Sequence, residues 1–170
     1  MSIEIQFGQL RSLVLSPSFS NWRMLCGVLD RYEDQWGRGE MAESVLPYLR
    51  HHIERWPTSV RRYATHTWLH RAMLGREVKQ LEFATAIHFV GHQTTTKGLE
   101  LLFQATNLER VTHVDMRKAE VCDASVLRTL LDNPVIARLE SLTLRSATLR
   151  RLPQSIRHEL ASRELTLGTA

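Results

Sequence analysis

The chain has 170 residues, 43% of them hydrophobic, with 22 Lys and Arg, 18 Asp and Glu, 8 His and 2 Cys. That suits one compact domain, or two small halves sharing a core, and argues against wholesale disorder. No apolar run reaches the roughly 18 residues of a membrane span. The first 15 residues lack the basic start and apolar run of a secretory signal, so a cytosolic, membrane-free protein is expected.

The formal net charge is +4 and the pI about 9.5. Residues 1–77 hold 10 basic and 8 acidic side chains, and residues 78–170 hold 12 and 10. Each half is therefore +2, and no basic block is expected to stand out. Only Lys79, Lys97 and Lys118 are lysines among the 22 basic residues. Arginine suits forked recognition of phosphate or carboxylate, and codon bias in a GC-rich genome gives the same excess. Cys26 and Cys122 have no CxxC partner and are expected to be reduced, buried thiols.

All four tryptophans lie in the first half. Residues 3–7 alternate apolar and polar, as in a strand, although Leu10, Leu13, Val14 and Leu15 fit a short helix equally well. Ser16-Pro17-Ser18 breaks the chain, and Ser20 or Asn21 can cap the next helix. There Trp22, Leu25, Leu29, Tyr32 and Trp36 form one apolar stripe, ended by Gly37 and Gly39. Met41, Val45, Leu49, Ile53 and Trp56 form a second stripe. Pro47 inside it predicts a kink, or a restart with Pro47 in the first turn. After Pro57, Thr58 or Ser59 can cap a third helix carrying Val60, Ala64, Trp68 and Ala72, with Gly75 as its C-cap. These elements predict a helical cap subdomain over 1–77, packed with the rest as one unit.

From residue 78 an apolar pattern L-x-x-L-x-L recurs, L being any bulky aliphatic or aromatic residue. The copies are 78–83 (VKQLEF), 111–116 (VTHVDM) and 139–144 (LESLTL), with a weaker one at 163–167 (RELTL). Helix-like stretches lie between, at 97–103, 125–131 and 152–160. Asp123-Ala124-Ser125 reads as a helix N-cap signal. Strand, connector and helix at a 20–30-residue period predict a solenoid. The pattern resembles leucine-rich repeat proteins over about residues 78–170. The resemblance implies a parallel sheet on a concave face with helices outside, in an α/β fold. The family's Asn or Cys, three residues past the last apolar strand position, is absent, and Ala86, Ala119 and Ala147 stand there.

Alternate strand residues point outward. Stacked in register they give three columns: Gln80, His113, Ser141, Glu164; then Glu82, Asp115, Thr143, Thr166; then Ala84, Arg117, Arg145, Gly168. Arg117 and Arg145 would sit about 5 Å apart on adjacent strands. Two like charges that close need an acidic answer, from Asp115 or from an acidic partner. The partner-binding residues expected are therefore His113, Asp115, Arg117, Thr143 and Arg145.

Two HxxxH pairs appear, His66–His70 and His88–His92. The first lies on a predicted helix, where i,i+4 histidines share a face. Neither has an HExxH glutamate or an evident third ligand, so His66 and His70 are weak metal candidates and no metal or cofactor is expected. Arg50, His51, His52, Arg55, Arg61 and Arg62, interleaved with Trp56 and Tyr63, could track phosphates or form a solvated face. No nucleophile, P-loop or dinucleotide motif is present. The expectation is a non-catalytic protein–protein interaction module with an acidic partner. Self-association through the C-terminal edge strand is an option. The alternative is a nucleic-acid-binding accessory protein using the Arg-rich helical region.

Overall fold

Residues 3–14, where a strand or a short helix was expected to begin, form one continuous helix, α1 (Ile3–Val14). Leu10, Leu13 and Val14 are buried on one side of it, so the three-and-four spacing decides over the brief alternation. The computed structural model describes residues 3–32, 41–90, 94–136, 138–163 and 166–169. They fall into two compact units, Met1–Arg62 and Tyr63–Ala170. The helix expected to complete the cap thus belongs with the second unit.

In the first unit, α2 (Phe19–Tyr32) follows the Ser-Pro break. Its cap is Ser18, whose hydroxyl accepts the Asn21 N–H at 3.1 Å, rather than Ser20 or Asn21. Trp22, Leu25 and Leu29 are buried as the stripe requires. Trp36, Gly37 and Gly39 lie outside the described residues. A π turn (Met41–Val45) leads into α3 (Leu46–Ile53), with Pro47 in the first turn. There its missing N–H has no helical partner to lose. Val45, Leu49, Ile53 and Trp56 are buried. The Trp56 indole N–H donates to the Val14 carbonyl at 2.8 Å, and its ring meets Trp22 edge-on at 6.4 Å. One tryptophan therefore ties the end of α1 to the chain following α3.

The second unit is α/β. Its third expected helix starts late, as α4 (His66–Met73), capped by Thr65 rather than Thr58 or Ser59. It ends at Gly75, as expected, with φ +74°. The Gly75 N–H donates to Ala72 and the Arg76 N–H to Arg71, the paired closure that needs a left-handed residue at this position. Then come β1 (Ala86–His88), α5 (Thr96–Phe103), β2 (His113–Asp115), α6 (Ala124–Asp132), β3 (Ser141–Leu144), α7 (Ser146–Arg151), α8 (Gln154–Ser162) and β4 (Thr166–Thr169). The strands form one parallel sheet in the order β1-β2-β3-β4. Tyr63 adds a lone parallel bridge to Ala86. α5 packs on α4 and α6, and α6 also meets α8. Thr95 and Asp123 cap α5 and α6, each accepting main-chain N–H groups, so the Asp123 signal holds.

Two expected strands are corrected. Residues 78–83 include a 3-10 helix (Lys79–Phe83), and the strand lies at Ala86–His88. The spacing of Val78, Leu81 and Ala84, all buried, also matches a helix of three residues per turn. The true first copy is 84–89 (ATAIHF), with Ile87 and Phe89 buried and Ala84 in the leading apolar place. The fourth strand is registered two residues later than expected, with Thr143 opposite Gly168 rather than Thr166. A Cβ at Gly168 would lie 2.9 Å from Thr143 Oγ1, so the residue without one takes that place. The strand-to-strand spacing becomes 27, 28 and 25 residues.

Gly75→Ala is expected to cost about 1 kcal/mol, because a Cβ is unfavourable at positive φ. Urea unfolding followed by circular dichroism measures it. A variant as stable as wild type would show that this turn relaxes freely.

Candidate functional site

The solvent-facing side of the sheet is set by the alternation on each strand. Ile87, Val114 and Leu142 are in register across β1, β2 and β3 and buried. Their neighbours His88, Asp115 and Thr143 stand on the other face as one row, continued by Gly168. A second row runs Ala86, His113, Ser141, Thr166. The His113–Ser141 and Asp115–Thr143 pairs match the expected columns. Gln80 and Glu82 do not join them, because their segment is the 3-10 helix. Gln80 is buried, and its Oε1 has no hydrogen-bond partner among the described residues. Ala84 is also buried.

Three of the five expected partner-binding residues meet. The Arg117 guanidinium grips the Asp115 carboxylate, Nη2 to Oδ2 at 2.7 Å and Nε to both oxygens at 3.1 Å. The Arg117 N–H donates to Asp115 Oδ1 at 3.0 Å. Arg145 Nε donates to the Arg117 main-chain carbonyl. The repulsion foreseen between the two arginines is thus met inside the protein: Asp115 answers Arg117, and Arg145 is pinned to backbone. Thr143 stands beside Asp115. His113 lies in the other row, its Nδ1 2.7 Å from the Thr112 hydroxyl.

His88 belongs to this group and was not expected there. Its Nε2 is 3.5 Å from Asp115 Oδ2, and its ring is 6.3 Å from that of Tyr63. The alternating run Ile87-His88-Phe89 could have placed it. The HxxxH pairing drew His88 towards a connector, and its partner His92 lies outside the described residues.

Burial alone would raise the Asp115 pKa. The hydrogen bonds and charge of Arg117, with His88 behind them, outweigh it and hold the carboxyl below its ordinary value. Arg117 is raised correspondingly by Asp115. Cys122, 3.8 Å from the Met116 sulfur, is pushed up to about 12 by burial and then by Asp123. Burial likewise raises Cys26, so neither thiol is an activated nucleophile.

The other candidate groups are less assembled. His66 and His70 are exposed with rings stacked 6.2 Å apart, and no set of three His, Cys, Asp or Glu suited to a metal occurs among the described residues. In the 50–62 stretch Arg50, His51, Arg55 and Arg61 are exposed. Trp56 and Arg62 are buried, so Trp56 offers no open face to a base. Tyr63 belongs to the second unit. The shared alanine of the expected alignment also fails at its first copy, since Ala86 is a β1 residue. At the second copy the Glu120 and Val121 N–H groups are met by the buried Thr94 hydroxyl, at 2.8 and 3.2 Å.

Among the described residues no helix is long and apolar enough to cross a membrane. Comparison with protein-family models, with curated proteins and with solved structures returns no match to this chain.

Asp115→Asn is expected to lower stability at neutral pH. A carboxyl whose folded pKa is depressed stabilises above its unfolded value of about 3.9 and loses that contribution as pH falls through the folded value. The gap between wild type and Asp115→Asn should therefore close on acidification below about pH 4. Denaturation midpoints at pH 7, 5 and 3 test this, and a gap constant across pH would place the effect elsewhere.

Proposed function

We propose that residues 63–170 form a short leucine-rich-repeat-like solenoid that serves as a non-catalytic, cytosolic protein-interaction module. Support for the repeat reading comes from the sequential order of the parallel strands and their near-even spacing. The Tyr63 bridge extends the same order one step before β1. Lone asparagines add to it: Asn107 Nδ2 donates to the Val78 carbonyl at 2.6 Å, and Asn133 Nδ2 to the Phe103 carbonyl. Each ties its turn to the preceding strand–helix segment.

The docking surface is the polar face of the sheet, with His113, Asp115, Arg117, Thr143 and Arg145, joined by His88. One observation carries this reading. Arg145 is held in place by the Arg117 carbonyl, yet no carboxylate answers its charge among the described residues. A held side chain loses little entropy on binding, and a carboxylate of the partner would complete it. Val90, exposed two residues beyond His88, supplies an apolar contact beside the charged row. Pairing of a second copy along β4, at the edge of the sheet, is the second mode of association this reading allows.

A pull-down from nuclease-treated native lysate tests it. A protein retained by wild type should be lost by folded Arg117→Glu/Arg145→Glu and kept by Arg128→Glu, which reverses an exposed charge on α6. Retention by all three would move the interface off this face.

A further inference from the structure

We propose that the arginines of α7 and α8 form a site for the phosphate backbone of nucleic acid, separate from the docking row on the sheet. Residues 138–163 hold six arginines and two glutamates, a surplus equal to the net charge of the whole chain. Within 146–158 there are three arginines, one histidine and no acidic residue. Counting by halves conceals this, because acidic residues elsewhere in the second half offset it.

The side chains are available. Arg150, Arg151, Arg157 and His158 are all exposed. Arg163 is answered by Glu159 at 2.8 Å. Arg150 makes one bond, from Nε to the Ser146 carbonyl at 3.4 Å. Among the described residues no carboxylate pairs with Arg150, Arg151 or Arg157. Only Leu152 and Pro153 separate the two helices. Arg151 and Arg157 are therefore at most about 21 Å apart even along a fully extended chain. The three unanswered cations on these two helices are arginines, whose planar fork matches phosphate oxygens.

The surroundings favour a phosphate backbone over an acidic protein. Protein interfaces draw most of their affinity from buried apolar or aromatic anchors. Among the described residues the exposed large apolar ones are Leu15, Phe19, Met24, Leu74 and Val90, none of them on α7 or α8. A surface of charge without anchors suits the ligand that is recognised by charge alone. His158 is the one aromatic ring on α7 or α8, and contacts to phosphate carry no base information, so recognition here is indifferent to base sequence.

The test is fluorescence anisotropy of the nuclease-treated full chain with a fluorescein-labelled 20-nucleotide oligothymidylate. Three or four neutralised phosphates predict a logarithmic salt slope of about −2 to −3, a loss of roughly 20- to 50-fold from 50 to 200 mM salt. Arg150→Glu/Arg151→Glu/Arg157→Glu should lose at least tenfold in affinity, and the corresponding Gln variants should follow in the same direction if the Glu form misfolds. Arg11→Glu/Arg55→Glu/Arg61→Glu removes the same net charge from the first unit and should bind within about threefold of wild type. Loss in the first set alone establishes the site. Absence of binding at 50 mM salt, equal losses in both sets, or equally tight binding of polyglutamate would overturn it.

Discussion

The second unit depends on the main-chain ladder between successive parallel strands, each separated from the next by at least one helix. The Thr85 carbonyl accepts from Thr112 and His113, the Thr112 carbonyl from Glu140 and Ser141, and the Glu140 carbonyl from Thr166. Each rung joins residues about 27 apart, so every strand must wait for a helix to return the chain. The helices in turn bury their apolar sides: Leu99, Leu102 and Phe103 on α5, and Val126, Leu127, Leu130 and Leu131 on α6. Phe89, leaving β1, meets Phe103 edge-on at 6.5 Å. Ladder and core set one another's register, since a strand moved by one residue would expose Val114 or Leu142 and bury Asp115 or Thr143.

This constraint explains which side chains face solvent together. Asp115, His88 and Arg117 come from two strands and the turn after one of them, yet converge because the ladder holds β1 and β2 level. The carboxylate is the hub, accepting from Arg117 and facing His88. Links outside the sheet reinforce the same order. Thr96 donates to Asp123 at 2.9 Å, and Ser125 donates to Glu100 at 2.7 Å, so the starts of α5 and α6 are fastened as well as their flanks.

Much of this was legible where a signal was both local and unique. The break at Ser16-Pro17-Ser18, the restart at Pro47, the Asp123 cap and the Gly75 stop each follow from one side chain's chemistry. The pairing of β2 with β3 followed from two strong apolar copies. The first strand was not legible, because its leading apolar position is Ala84, too small for the template, while 78–83 offered bulkier residues at the right spacing. That error displaced the columns and hid His88. The fourth register depended on a contact between Gly168 and Thr143 that only three dimensions reveal. The arginine surplus needed no structure, only a narrower window than half the chain, but its lack of acidic neighbours did.

The two cysteines fall one to each unit, Cys26 on α2 and Cys122 just before the α6 cap. Both are held in the thiol form, far from the reactive thiolate. Cys26 is buried, whereas Cys122, expected to be buried, is only partly so. A buried thiol reacts with an alkylating reagent chiefly when its surroundings open. The wild-type chain therefore carries an internal clock in its first unit, and the rate at which Cys26 is modified, read by mass spectrometry of its peptide, times the opening of that unit.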